Sequence, residues 1–108
     1  MKTFVVIKTT FAATHNWPDC DIEGVLYLKH EHRHLFYVTM KWAVNHADRE
    51  IEFIQQKMKV DNFIKTLYTD KFLKGKSCEM MAKELLLSFE ANYVSVFEDN
   101  ENGAEVHK

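Results

Sequence analysis

The sequence predicts an α+β domain, with strands at both ends of the chain and two helices between them. Three observations carry that class. Apolar and more polar residues alternate through Lys2–Thr14 and again through Leu26–Val44. The apolar spacing then turns helical over Ile51–Tyr68 and Ser77–Phe89. The chain finally returns to an extended composition at Tyr93–Glu98. The order is strand, strand, helix, helix, strand, with a further short strand suggested by the tail EDNENGAEVHK.

Each element has a local reason. Lys2–Thr14 is rich in Thr, Val, Ile and Phe, which suit a pleated surface. NWPDCDIEG follows and holds the only proline, so Asn16–Gly24 reads as a loop. In the next extended segment Phe36, Val38, Met40 and Trp42 share one parity, and Tyr37, Thr39 and Lys41 share the other. That is a strand with one buried side. NHADRE breaks the pattern, and the helical spacing after it includes Ile54, Met58 and Leu67. Lys71–Lys76 is a polar link containing Gly75. Ser77 suits an N-cap, and Met81, Leu85 and Phe89 fall on one helix face.

Composition narrows the function classes. At 108 residues, 46% hydrophobic and 28% charged, residues 1–108 read as one globular domain. Fourteen Lys and Arg against sixteen Asp and Glu give a net charge of -2, without the basic excess that nucleic-acid binding uses. No stretch is long and apolar enough to span a bilayer. The opening MKTFVVIKTTF alternates around Lys8 and does not form the apolar block of a signal peptide. A cytoplasmic protein with reduced thiols at Cys20 and Cys78 is the expectation. Cys78 reads as a small buried hydrophobe.

The histidines carry the chemistry. KHEHRH places His30, His32 and His34 two residues apart. In a strand such residues share a face, here the face of Phe36 and Val38. His15 ends the first strand, and antiparallel pairing brings it to the start of the second. Three histidines with a fourth position open is a catalytic zinc layout, so Zn2+ at His15, His32 and His34 is expected. The spacing leaves open whether His30 replaces His34. His46 and His107 read as surface residues.

These residues resemble a family. FAATH, then a loop, then HRHLFYVTM is similar to the F-x-A-x-H and H-G-H motifs of the 6-pyruvoyl- and 6-carboxy-tetrahydropterin synthases. IEFIQQK resembles their D-F-x-x-L-K helix start, with Glu52 for Asp. SCEMMA resembles T-S-E-x-x-A through Ser77, Glu79 and Ala82, and VSVFEDNENGAEV resembles the closing V-x-E-T strand and turn. The resemblance runs in order along nearly the whole chain. It implies the tunnelling fold, an antiparallel sheet with two helices on one face in the order ββααββ. It also implies a homo-oligomer, a hexamer in that family, whose subunits join their sheets into a barrel. By the same resemblance, His15, His32 and His34 hold zinc, while Glu98 anchors a pterin with Ser77 beside it. The reaction implied is a lyase step on 7,8-dihydroneopterin triphosphate, and the 6-carboxy members belong to queuosine biosynthesis.

The proton-transfer groups depart from the pattern. The family cysteine position falls on Leu28, and Cys20 lies upstream in the same loop, with Glu23 near it. The Asp-His pair aligns with Thr69 and Asp70, or less well with Asp61 and Asn62, and no histidine follows either. Arg33 replaces the family glycine, and either crowds the site or points to the opposite face. Two expectations follow. One is a zinc-dependent pterin lyase using Cys20 or Asp70 as proton carrier. The other is a catalytically impaired metal- and pterin- or purine-binding protein that sequesters a ligand or regulates a partner.

Overall fold

A computed structural model describes residues 1–108. Five strands and two helices form an α+β fold in the order ββαβαββ: β1 (Thr3–His15), β2 (His32–Val44), α1 (Phe53–Leu67), β3 (Phe72–Leu73), α2 (Cys78–Phe89), β4 (Tyr93–Glu98) and β5 (Asn102–His107). They make one sheet with spatial order β3-β1-β2-β4-β5.

β1 and β2 are an antiparallel pair thirteen residues long, in a register that sets Phe11 opposite Phe36 and His15 opposite His32. That register puts Ile7, Phe11 and Ala13 on the same face as Phe36, Val38, Met40 and Trp42. All seven are buried, together with Val94 and Val96 of β4. Both helices cover this face, and Val60, Ile64, Met81, Ala82, Leu85 and Leu86 complete the same core. The other face carries Lys8, Thr10 and Tyr37, which are exposed or half-buried.

Helix ends follow their local chemistry. The Glu52 carboxylate accepts from Ile54 N and Gln55 N at the start of α1. Ser77 Oγ accepts from Met80 N at the start of α2. Glu90 closes α2 in the left-handed region at φ 51°.

Three expectations need correction. The second extended segment does not start at Leu26: Leu26–Lys29 is a 3₁₀ turn, and the strand begins at His32. Leu28 N donates to Val25 O and His30 N to Tyr27 O, which curls the chain just before the strand. The sheet is mixed, not antiparallel throughout, because β3 pairs parallel to Thr14 and His15. Two residues are too few to show any periodicity, so a strand here leaves no sequence signal. That strand also splits the two helices, so the order is not ββααββ. The apolar positions of α1 divide between its faces: Ile54, Met58 and Leu67 face away from the core, at 63%, 67% and 45% exposure, while Val60 and Ile64 face the sheet.

Candidate metal centre

The long hairpin builds the centre. His15 is the last residue of β1 and His32 the first of β2, and the two are directly opposed. His34 lies two residues along on the same face. Ring centroids are 4.5 Å apart for His15 and His32, 5.0 Å for His32 and His34, and 5.3 Å for His15 and His34. Glu98, at the end of β4, pairs in register with Phe36 and so points to the same face. One ligand atom from each of His15, His32, His34 and Glu98 falls in a cluster with no separation above 4.8 Å.

The hydrogen bonds fix which ring nitrogens are free. His15 Nδ1 is 2.7 Å from the Lys76 carbonyl oxygen, and His32 Nδ1 is 2.7 Å from the His30 carbonyl oxygen. A carbonyl only accepts, so both rings donate from Nδ1. His34 Nδ1 is 2.7 Å from Asp99 Oδ2, and the His34 ring beside that carboxyl holds it below its usual range. Three Nε2 atoms therefore turn their lone pairs toward one another and toward Glu98. This is how metal-binding histidines are held by their outer partners.

Glu98 sharpens the point. Its Oε2 is 2.9 Å from His15 Nε2, and its Oε1 is 3.6 Å from His34 Nε2. The 2.9 Å contact is an ion pair only when His15 is protonated; as neutral rings, both Nε2 atoms are buried without a well-aligned hydrogen-bonding partner. A carboxylate oxygen facing an imidazole lone pair is repulsive unless a proton or a metal ion lies between them. Without metal, burial drags the His15 pKa down, but Glu98 and the Lys76 carbonyl outweigh it, and the net shift is above 6.5. The neighbouring His15 in turn holds the Glu98 carboxyl below 4.5, against its own burial. The donor set fits a divalent metal: imidazole nitrogens and one carboxylate suit zinc or another first-row ion.

A cavity of about 470 Å³ opens beside the cluster. Its walls include His15, His32 and Glu98, the polar Lys76 and Ser77, and the apolar Trp17, Leu28 and Met80. Cys78 also lines it, and burial with the Glu98 and Glu79 charges pushes that thiol up to about 12, so it stays protonated. The segment that orients His15 is itself clamped. Lys76 Nζ donates to Glu84 Oε2 at 2.7 Å, and Asn16 Oδ1 accepts from Gly75 N at 2.9 Å.

The structure thus brings together His15, His32, His34, Glu98 and Ser77. It does not bring Cys20 or Asp70 to the cavity wall. Cys20 is fully buried in the loop, with its thiol donating to the Val25 carbonyl at 3.5 Å. Asp70 is exposed in the turn after α1, with φ 59° and its N–H on the Ala12 carbonyl. Glu23, too, is absent from the wall. His30 is not part of the cluster: its place before the strand brings its carbonyl to His32 Nδ1. Arg33 is exposed and opposes Thr14, so it points to the other face and leaves the cluster free. Sequence reasoning missed Asp99, Lys76 and the His30 carbonyl. Asp99 directly follows Glu98 and could have been noticed, but a backbone carbonyl has no residue-type signature.

No protein-family model and no curated protein matches this sequence. A solved structure does match: an uncharacterized protein, WS1659, from Wolinella succinogenes, with a TM-score of 0.78 over 100% of this chain and 99% of that one. Identity is 11%, so the likeness is one of fold. No helix is long and apolar enough to cross a membrane.

Proposed function

We propose that this chain is a zinc-binding protein of the tunnelling-fold type that receives a pterin or related flat heterocycle beside the metal. One observation carries the reading: three imidazoles give their Nδ1–H to outer acceptors and converge their Nε2 atoms on one point. His15, His32 and His34 hold the ion. Bound there, zinc acts as a Lewis acid toward oxygen atoms of a ligand. The cavity supports a planar guest, with Trp17, Leu28 and Met80 as apolar surface and Ser77 and Lys76 as polar contacts. Homo-oligomerisation belongs to the same reading. The outer edge of β1 is paired with β3 only at Thr14 and His15, and β5 is the opposite edge strand, so two unpaired edges are available to extend the sheet. Nucleic acid and membrane are not among the proposed partners.

Binding without efficient turnover is favoured because neither Cys20 nor Asp70 reaches the cavity. General acid–base groups typically contribute about 10²–10⁴ in rate, and their loss leaves binding intact. Turnover of 7,8-dihydroneopterin triphosphate as a lyase is the second reading, favoured by the ordered motifs from FAATH to VSVFED.

Elemental analysis of the purified protein tests the core of the proposal. About one zinc per chain, lost in His32→Ala, supports it. Absence of metal after zinc is supplied refutes it. Titration with a pterin followed by fluorescence then tests the ligand, and a turnover assay separates the two readings. Turnover that falls in Cys20→Ala or Asp70→Asn favours the lyase.

A further inference from the structure

We propose that Glu98 is the fourth ligand of the metal and closes the site in the absence of a small molecule. This rests on the metal reading above and changes the role of Glu98 from ring anchor to ligand. Two donors each about 2.0–2.1 Å from a tetrahedral zinc lie about 3.3 Å apart. The Glu98 oxygens stand 2.9 Å and 3.6 Å from the free nitrogens of His15 and His34, on either side of that separation.

The backbone brings Glu98 to the cluster. Glu98 is the last residue of β4, held opposite Phe36. The turn after it is pinned by Asp99 N on the Leu35 carbonyl at 2.8 Å and by Glu101 N on the Glu98 carbonyl at 2.9 Å. Three neutral imidazoles leave a divalent ion with its full double charge in a half-buried site. One carboxylate halves that charge, which burial favours. A metal-free ion pair between Glu98 and a protonated His15 is the competing account, and it leaves His34 Nε2 buried with no partner.

The position has a chemical consequence. Glu98 lines the cavity together with His15 and His32, so a carboxylate bound to the ion would occupy the coordination position a guest in the cavity must reach. An anionic oxygen or nitrogen donor entering the cavity gains the metal only by displacing this carboxylate. The site is then closed at rest and open on exchange, unlike a catalytic site with a permanently vacant position.

Cobalt(II) substitution of the full-length protein, read by visible absorption with and without azide, tests this. The wild type is expected to show a four-coordinate spectrum that azide alters only at concentrations well above those that shift Glu98→Ala, because azide must first displace the carboxylate. Glu98→Ala is expected to bind cobalt more than about tenfold more weakly, and to give a spectrum that azide shifts. Glu98→Gln, of nearly the same volume, guards against a folding defect, which circular dichroism reports for both variants. Unchanged cobalt affinity and spectrum in folded Glu98→Ala would overturn the proposal. So would a wild-type spectrum that responds to azide as the variant does. Failure of the wild type to take up cobalt or zinc at all sinks the metal reading itself, which is a different result.

Discussion

Replacing Glu84 by Gln removes one charge from the Tyr68–Glu84–Lys76 network at almost constant volume. In the native chain Glu84 accepts from Tyr68 Oη at 2.5 Å and from Lys76 Nζ at 2.7 Å. The Lys76 carbonyl holds His15, so this network also steadies a metal ligand. The Lys76 and Glu84 side chains are 34% and 37% exposed, so water screens their ion pair to about 0.5–1 kcal/mol. Tyr68 is 1% exposed, and trading its charged acceptor for a neutral amide loses about 1 kcal/mol. The sum is about 1.5–2 kcal/mol, or roughly 6–15 °C in Tm for a domain near this size.

The pH dependence has a definite sign. Burial pushes the Glu84 carboxyl up, but Lys76 and Tyr68 together bring it net below 4.5. A depressed carboxyl contributes its stability above the unfolded value and loses it as pH falls through the folded one. The gap between wild type and Glu84→Gln in urea melts should therefore be constant from about pH 7 to pH 5 and shrink below 4.5. A gap of equal size on both sides of that range would mean packing, not charge, and would refute the argument. So would no gap at neutral pH.

Three further outcomes are expected. Zinc at about a hundredfold over its Kd should add about 2.7 kcal/mol, or roughly 10–20 °C in a thermal melt, reversed by chelator and absent in His32→Ala. Zinc affinity should fall as pH drops through the raised His15 pKa above 6.5, because the proton and the metal compete for Nε2, and calorimetry in buffers of different ionisation enthalpy should show proton release. Gly103→Ala should destabilise by about 1–3 kcal/mol in denaturant melts, since a Cβ there would overlap the Val96 carbonyl oxygen and sit 2.6 Å from Phe97 Cα.

Much of this protein was legible because its strands are long and half-buried. Thirteen alternating residues in β1 and again in β2 leave little doubt about which face is inward, and parity alone puts His32 and His34 beside each other. The pairing of His15 with that strand needed only a hairpin. Glu52 and Ser77 were readable as helix starts because capping is a local bond between neighbours. The inward face of α1 was not readable. Its exposed face carries Ile54 and Met58, as apolar as the Val60 and Ile64 that the sheet covers, and only the packing distinguishes them.

The sequence by itself determined the α+β class and the shared face of His32 and His34, because these follow from periods of two and 3.6 residues, while Glu98 was picked out only by the family resemblance. Tertiary structure decided the rest. It made the sheet mixed, through a two-residue strand with no pattern of its own. It buried the Cys20 thiol in its own loop, away from the cavity wall, and left Asp70 in a turn that does not line the cavity either. It also set which imidazole nitrogen is free on His34 and His15, through a carboxylate 65 positions away and a carbonyl 61 positions away. Contacts across such separations depend on how the sheet and helices close around the core, and no local pattern encodes them.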